Sequence, residues 1–442
     1  MTAPARWRAH EALARNEHRA DLVATLFGAC GWGAALVGAP VPVWMVALLV
    51  VGAVASSRRV LVAVVLLLLI AARAHEARGA LVVPQRVATQ SVARLVTDPE
   101  RVGSTWRAVA VTDDGRYLLE ASGAQGAALS LRSAGQRVRI AGTVRPLPHP
   151  QRWWWRHVRA RIVIERLERV DDGGPIVVAV EALRSTVARA ADALPESQRA
   201  VYRGFVLGDD RGRPRSVTED FEGSGLAHLL VVSGENLAFV LVVVAPLRRV
   251  GDRHWRWLIT LGVLALFVAV TRAEPSVLRA CAMAAVAATA AWLGRPMRAR
   301  RLVAFGVLAL LLVDPLLVHS LGFSMSVAAS LGIVWLAPPL HRWLPGPSWL
   351  RLAAAVTISA QVAVAPLSIP VFGPMPWVSL PANLLAEPMA AFVMMWGCTV
   401  GIVAGVVGGT PAVVLQTPVQ VALWWVMTVA HRGAALGLGG IG

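Results

Sequence analysis

One apolar stretch near the middle of the chain, GLAHLLVVSGENLAF (residues 225–239), carries four side chains that could do chemistry: His228, Ser233, Glu235 and Asn236. Ionisable groups are costly in hydrocarbon, so they usually face a protein interior or a water-filled path. His228 and Glu235 are seven residues apart, which on an α-helix is two turns and places both on one face at about 10 Å. Ser233 lies about 140° around the same helix from His228, so a serine–histidine catalytic pair within it is not expected.

Three further polar residues lie in or beside apolar runs. Arg279 falls about one helical turn inside such a run, and Asn383 and Glu387 lie in the segment PANLLAEP (381–388). Broken helices at membrane depth are tolerated only where they are buried in protein or line water, so the two prolines favour a functional segment. We therefore interpret all these polar residues as the lining of a polar path.

Each group also has an ordinary structural interpretation. The residues from His228 to Asn236 could join packed helices through hydrogen bonds that are sealed from lipid, and catalysis is a third alternative. Arg279 could extend its charged end to the membrane surface. Residues 381–388 could be a loop that leads into the next helix.

A run of aromatic and basic residues, RWWWRHVRAR, occupies residues 152–161. Aromatic rings beside cations hold single strands without reading their sequence, and the same composition anchors domains at a membrane surface. The anchor is favoured, because three adjacent tryptophans cannot all point one way in a strand. The five residues concerned are Arg152, Trp153, Trp154, Trp155 and Arg156.

No motif of a known enzyme class is found. Glycine-rich phosphate loops, HExxH, paired zinc motifs and GxSxG are absent from the sequence. The three cysteines, Cys30, Cys281 and Cys398, all fall in apolar runs and are expected to be small core residues. We therefore predict no catalytic residue, no metal and no cofactor.

The composition is that of a polytopic membrane protein. Of 442 residues, 56% are hydrophobic and 16% charged, whereas soluble domains carry roughly 25% charged residues. The formal net charge is +17, and every basic residue is arginine. Such a charge suits nucleic acid or anionic lipid, but arginine-rich cytoplasmic loops alone would also produce it.

Hydropathy predicts a helical membrane protein with about eleven transmembrane helices and one inserted β-domain. Residues 1–75 contain three helices, at 22–39, 41–55 and 60–72. Residues 76–172 turn polar, with about five short alternating runs and a hairpin signal at Asp113-Asp114-Gly115, which predicts a small OB-like β-barrel outside the cytoplasm. Residues 173–224 form an amphipathic helical linker interrupted at Pro195. Eight spans then fill 225–442, at 225–247, 257–271, 276–293, 302–318, 320–337, 352–369, 385–407 and 411–430.

Arginine placement predicts the orientation. With the N-terminus in the cytoplasm, the arginines of the short turns fall almost entirely on the cytoplasmic side, which is the positive-inside pattern. The β-domain then lies outside. The arginines of the cytoplasmic turns are Arg58, Arg59, Arg248, Arg249, Arg253, Arg256, Arg295, Arg298, Arg300, Arg301, Arg342 and Arg351.

Four segments of the chain resemble the ComEC-type competence family of bacteria. HLLVVSG resembles the family's His-Leu, apolar run and Ser-Gly, and SVLRACAM (276–283) resembles its Arg-Ala helix start. DPLLVHSLGFSMS (314–326) and ANLLAEP (382–388) resemble its Asp-Pro/Gly-Phe and Ala-Asn-Leu-Leu segments. The segments follow the family's order over about 225–408, and the preceding helices and OB-like domain are also similar.

The resemblance implies an inner-membrane channel that passes single-stranded DNA into the cytoplasm during natural transformation. Its partners would be that DNA, the bilayer, other competence proteins and a separate nuclease, because the metallo-β-lactamase-like domain of many members is missing from this sequence. His228, Asn236 and Arg279 could then contact phosphates or base edges. Glu235 and Glu387 depart from the family pattern and are expected to pair with arginine or to be protonated. A small-solute secondary transporter, for which we see no internal repeats, and a membrane-embedded hydrolase are the alternatives.

Overall fold

The structure is a computed structural model that describes residues 3–37, 58–81, 88–230, 235–249 and 251–438. These residues form a large helical bundle and one small sheet domain. Helix α1 (Ala3–Val37) continues the first predicted span back through the arginine-rich N-terminal segment, and α2 (Arg58–Gly79) contains the third. The predicted second span, 41–55, lies outside the described residues.

The described strands run from Ala88 to Asp171, within the polar segment 76–172. Strands β3 (Thr105–Thr112) and β4 (Gly115–Ser122) form a hairpin at the predicted Asp113-Asp114-Gly115 turn, with Thr112 paired to Gly115. Leu119, Ile140 and Ile162 lie in the core of the domain and are at most 1% exposed. The strands are β1 (Ala88–Leu95), β2 (Glu100–Val102), β3 (Thr105–Thr112), β4 (Gly115–Ser122), β5 (Arg137–Arg145) and β6 (Val158–Asp171), with α3 (Gly123–Ser130) between β4 and β5.

The strands form one six-stranded sheet in the order β1-β5-β6-β4-β3-β2, and β4 and β6 are parallel. The predicted OB-like barrel is not shown. Most of β1 pairs only with β5, and β1 reaches β3 through only two residue pairs, Arg94↔Val111 and Leu95↔Ala110. The chain enters beside one end of β5, where Ala88 pairs with Thr143, and leaves beside the other, where Asp171 pairs with Arg137.

The amphipathic segment after the sheet is part of the bundle core. The helix interruption predicted at Pro195 is present, because α5 begins directly after that residue. Tyr202 and Phe205 are fully buried in one cluster with Val393 and Val426 of the last helices. The elements of this segment are α4 (Pro175–Arg189), a 3-10 turn (Ala190–Ala193), α5 (Glu196–Leu207), α6 (Arg215–Gly223) and a 3-10 turn (Ala227–Leu230).

The remaining chain is helical. Among the described residues, six helices are long and apolar enough to cross a membrane, or seven if the bent pair α14–α15 is one span. The predicted number of eleven is therefore not confirmed. The helices are α7 (Glu235–Val243), α8 (Ala245–Arg249), α9 (Arg253–Val270), α10 (Pro275–Trp292), α11 (Ala299–Val313), a 3-10 turn (Pro315–His319), α12 (Leu321–Trp343), α13 (Ser348–Phe372), α14 (Ser379–Gly397), α15 (Val400–Val407) and α16 (Gly409–Leu438).

Side-chain contacts show which helix ends share one end of the bundle. The Trp257 Nε1–H donates to Thr289 Oγ1 at 3.1 Å, which joins the start of α9 to the end of α10. Arg301, at the start of α11, pairs with the fully buried Asp21 of α1 at 2.7 Å. The arginine-rich turns therefore gather at one end, which we call the distal end.

The sheet domain contacts the opposite end of the bundle. Its Asp98 pairs with Arg272, just after α9, and its His157 lies 2.9 Å from Asp314, just after α11. The sheet domain and the arginine-rich turns thus lie at opposite ends of the bundle. The prediction that they lie on opposite sides of the membrane requires this arrangement. Which end faces the cytoplasm stays a prediction.

That orientation can be tested by cysteine labelling after the three native cysteines are replaced. Leu131 of the sheet domain is 77% exposed, and the Arg298 side chain, in the distal turn between α10 and α11, is 57% exposed, so both positions are accessible to a maleimide. We expect a membrane-impermeant maleimide to label Leu131→Cys in intact cells and Arg298→Cys only after permeabilisation. The reverse pattern would invert the topology.

Candidate functional site

A polar junction forms where the chain approaches the first and last resembling segments, since Gly225 and Ser379 each lie three residues before one of them. A Cβ added at Gly225, which has a φ of +75°, would lie 2.6 Å from Ser379 Cβ, so this close approach requires glycine. Ser379 Oγ accepts a hydrogen bond from Gln361 Nε2 at 3.0 Å, and Asn383 Nδ2 donates to the Ser379 carbonyl at 2.8 Å. Asn383 is 4% exposed, and its Oδ1 has no hydrogen-bond partner.

His228 lies in the 3-10 turn Ala227–Leu230, beside this junction. Its side chain is exposed, whereas its neighbours Leu229 and Leu230 are buried in the bundle core. Because a 3-10 turn has a different twist from an α-helix, the predicted shared helical face of His228 and Glu235 does not apply.

Ser233 and the side chains of Glu235 and Asn236 lie outside the described residues. The backbone of Glu235 and Asn236 begins helix α7, which packs against both α10 and α14. The helix that carries them therefore contacts the helix of Arg279 and the helix of Asn383 and Glu387.

The second and third resembling segments meet at Arg279. This side chain is partly buried, and its Nε donates to Ser326 Oγ at 2.6 Å, which joins α10 to α12. Its Nη1 lies 3.3 Å from Met283 Sδ. Ser326 was not among the predicted site residues, although it lies in the GFSMS sequence of the third segment.

The predicted break around Asn383 and Glu387 is wrong. Helix α14 runs without interruption from Ser379 to Gly397, with Pro388 inside it. Pro381 lies in the first turn, where no backbone donor is needed. The chain instead bends by 52° between α14 and α15. Glu387 is partly buried on the continuous helix.

The tryptophan turn, Pro150–Arg156, is a 3-10 turn of the sheet domain rather than a strand. Its central Trp154 packs edge-on against His319, with ring centroids 4.9 Å apart, and Arg78 lies over the same ring at 5.7 Å. Arg78 also reaches His319 Nε2 at 3.3 Å. Trp154 thus docks the sheet domain on the bundle.

The other two tryptophans of the turn line a groove of about 320 Å³ on the sheet domain. Arg156 lies over Trp155 at 4.6 Å and over Trp153 at 6.0 Å. Glu120, in the same groove, is neutralised by Arg107 at 2.9 Å and Arg161 at 3.0 Å. The groove therefore combines aromatic rings with excess positive charge from Arg152 and Arg156.

The separate positions of Trp154 and Trp155 allow the two predicted roles to be tested independently. In the purified full-length chain, we expect Trp155→Ala to weaken binding of a single-stranded oligonucleotide by roughly 1–3 kcal/mol for a stacked base. Trp154→Ala should leave that affinity unchanged and instead increase protease cleavage between the sheet domain and the bundle. Equal loss of affinity in both variants would contradict the division of roles.

A second docking contact is a nearly buried ion network. Asp98 pairs with Arg184 and with Arg272 at 3.1 Å each, and Arg272 also pairs with Glu181 at 2.6 Å. Arg184 is 4% exposed and donates to the carbonyls of Leu207 and Val270. Two cations and two carboxylates thus join the sheet domain, α4 and the end of α9.

Asp98→Asn should destabilise the native chain by roughly 3–5 kcal/mol, because it leaves Arg184 buried beside a neutral partner. Asp171→Asn is the matched control, since its pair with Arg137 is exposed on both sides and is worth less than about 1 kcal/mol. The measurement is the thermal unfolding midpoint in detergent. Equal midpoints for the two variants would show that the network is not stabilising.

The same contact predicts a pH dependence. Burial raises the pKa of Asp98, but the charges of Arg272 and Arg184 and the Ala134 N–H outweigh it and hold the pKa below its ordinary 3.8. A carboxyl whose native pKa is lowered stabilises the fold above its unfolded pKa, and that contribution disappears as pH falls through the native pKa. The difference between wild type and Asp98→Asn should shrink in that acidic range.

Carboxylates cluster where the sheet domain faces the bundle. Burial raises the pKa of Glu274, the charge of Arg156 lowers it, and the charges of Asp210 and Glu100 raise it further. Burial likewise raises the pKa of Glu100, again opposed first by Arg156. The charge of Arg156 thus opposes the effect of burial at both carboxyls.

Sequence inspection also missed the pair in the turn after α5. Arg211 holds Asp209 through two hydrogen bonds, at 2.8 and 2.7 Å. Burial raises the pKa of Asp209, but this bidentate contact with Arg211 outweighs it and keeps the carboxyl ionised. The GDDRGRP sequence indicates a polar turn, but not that its acid and base pair with each other. Among the described residues, no group of three or more His, Cys, Asp or Glu side chains could hold a metal ion.

Gly225 thus meets Ser379 and Arg279 meets Ser326, and α7 contacts the helices α10 and α14 of these two pairs. The family model described as "Competence protein" matches residues 205–441, more than half of the chain. The chain belongs to the competence protein family. The matched region begins at Phe205, near the end of α5.

Two relatives are similar to this competence protein over part of its length. One is "Uncharacterized protein YcaI" of Escherichia coli (strain K12), 26% identical over 221 residues, which are 45% of this chain and 28% of the relative. The other is "ComE operon protein 3" of Bacillus subtilis (strain 168), 25% identical over 211 residues, 47% of this chain and 27% of the relative. The match therefore spans less than a third of either relative. No solved structure matches the chain.

Proposed function

We propose that this competence protein passes single-stranded DNA across the bacterial plasma membrane, and that it acts as a transporter without catalysing a reaction. The observation that carries the proposal is the convergence of the four family segments. Gly225 meets Ser379, and Arg279 meets Ser326. Helix α7 contacts both α10, which carries Arg279, and α14, which carries Ser379.

The chemistry of the converging residues suits a hydrated polyanion. Arg279 offers a guanidinium, which matches phosphate oxygens, and among the described residues it forms no ion pair. Asn383 offers amide groups of the kind that contact base edges. On the sheet domain, the groove of Trp153, Trp155 and Arg156 offers stacking faces beside cations, which suits single strands of any sequence.

The proposed order of events follows from the two docking contacts. A single strand first binds the groove on the sheet domain, which lies at one end of the bundle. It then passes between α7, α10 and α14 toward the distal end.

The test is a deletion strain of the source organism that carries this chain on a plasmid. We expect the plasmid to restore transformation and the entry of fluorescent DNA into the cytoplasm. The control is a plasmid that carries the unrelated exposed change Arg215→Gln, whose side chain is 94% exposed. Unchanged transformation in the deletion strain without any plasmid would refute the proposal and favour a small-solute transporter.

A further inference from the structure

Three large tryptophans stand exposed at the distal end of the bundle. Trp255 at the start of α9 is 49% exposed, Trp343 at the end of α12 is 86% exposed, and Trp349 at the start of α13 is 70% exposed. Exposed indole rings of membrane proteins are enriched at the headgroup level, where an apolar ring with one polar N–H is most stable.

Two of these tryptophans continue an exposed apolar stripe of their own helix. On α9, Trp255 shares a face with Leu258 and Leu266, which are 53% and 48% exposed. On α12, Trp343 lies two turns beyond Leu336, which is 42% exposed. An apolar stripe that ends in tryptophan is the pattern of a helix leaving the hydrocarbon layer.

Exposed arginines surround the same rings. Arg253, Arg256, Arg295 and Arg342 are all exposed, and within the described ranges none of them forms an ion pair. Other arginines of this end are neutralised, as Arg301 is by Asp21. The exposed set therefore carries charge that the protein itself does not balance.

Aromatic contacts hold part of this surface rigidly. Trp292 stacks on Trp257 with centroids 5.0 Å apart, and its Nε1 donates to His254 Nδ1 at 3.1 Å. These contacts join the start of α9 to the end of α10. Arg253, Arg256 and Arg295 are thus displayed together on a fixed pair of helix ends.

We propose that this distal belt, made of Trp255, Trp343, Trp349 and the four exposed arginines, binds the headgroups of anionic phospholipids. The positive charge matches their phosphates, and the rings place the arginines at headgroup depth. Arginine beside aromatic rings also suits single-stranded DNA. Lipid is favoured because the tryptophans continue stripes that face outward from the bundle. The inference is independent of the proposed transport function.

The test uses the purified full-length chain in nanodiscs of phosphatidylcholine alone or mixed with phosphatidylglycerol. We expect phosphatidylglycerol to be enriched among the lipids that remain bound to the protein. Each of Arg253→Gln, Arg256→Gln and Arg342→Gln should lower this enrichment, by about fivefold per arginine at low salt, and added salt should lower it further. Arg342→Lys should retain the enrichment because it keeps the charge.

The matched control is Arg166→Gln on the sheet domain, where the arginine is 76% exposed but distant from the belt. The triple variant combines Arg253→Gln, Arg256→Gln and Arg342→Gln. The proposal would be overturned if the wild type showed no enrichment of phosphatidylglycerol, or if the triple variant and the control showed equal enrichment. It would also be overturned if the triple variant kept its lipid preference and lost affinity for a single-stranded oligonucleotide. That result would assign the belt to DNA.

Discussion

Arg279→Gln is expected to lower transformation frequency by roughly 10- to 100-fold while the amount of protein in the membrane stays close to that of wild type. The guanidinium is partly buried between α10 and α12 and is held by Ser326. A hydrogen bond from a charged group is worth roughly 1.5–3 kcal/mol, so a lost contact to a phosphate in the path corresponds to this range. Glutamine keeps one donor and removes the charge, which separates electrostatics from packing.

Membrane abundance and transformation frequency should be measured together for Arg279→Gln, Arg279→Lys and the exposed control Arg215→Gln. If Arg279 only fastens α10 to α12, its replacement should lower abundance in proportion to uptake. Normal uptake at normal abundance would remove Arg279 from the path altogether.

Glu235 belongs in the same experiment. Its helix contacts the helix of Arg279, and the sequence predicts that Glu235 pairs with arginine or is protonated. If the two residues neutralise each other, each single variant should be more harmful than Glu235→Gln combined with Arg279→Gln, because a single variant leaves one charge buried without its partner. Additive effects would show that they act separately.

Gly405→Val is expected to prevent accumulation of folded protein. A Cβ at Gly405 would overlap the carbonyl oxygen of Thr186. The atoms nearest to this Cβ are all backbone atoms of Thr186 and Ala190, so no flexible side chain can move to make room. Gly401 and Gly397, one and two turns earlier, similarly admit Tyr202 and Val206. Overpacking a core costs roughly 1–3 kcal/mol when side chains can adjust, so a clash with backbone should exceed this.

The matched control is Gly262→Ala in α9, where an added Cβ would meet nothing within 4 Å. Gly405→Ala and Gly262→Ala introduce the same methyl group into two apolar helices, α15 and α9. We expect a lower unfolding midpoint only for Gly405→Ala. Similar midpoints would mean that α4 and α15 are not packed as closely as the structure has them.

The sequence predicts well those features that depend on local patterns. The alternating runs and the Asp113-Asp114-Gly115 turn locate the sheet domain, because strand periodicity and turn chemistry act over a few residues. Hydropathy locates α9, α10 and α12 for the same reason. The family segments are also local strings, so the family could be predicted before any contact was known.

Contacts between distant positions could not be predicted. Asp98 and Arg184 are 86 residues apart, and Arg78 and His319 are 241 apart, so no periodicity links them. The close packing of α4 and α5 against α14 and α15 depends on Gly397, Gly401 and Gly405, which are distant from both helices in the sequence. The 3-10 turn that carries His228 was missed because a short apolar run does not distinguish such a turn from an α-helix.

The chain enters and leaves the sheet domain at opposite ends of β5, beside Thr143 and Arg137, roughly 20 Å apart at the rise of a strand. The chain connects the domain to the bundle at both of these points, and Trp154 and Asp98 hold it against the bundle. The domain therefore cannot rotate about a single hinge. A force applied to a molecule bound on the domain would be transmitted through both docking contacts to the helices that form them. If the protein passes single-stranded DNA as proposed, traction on a bound strand would strain the ends of α2, α9 and α11.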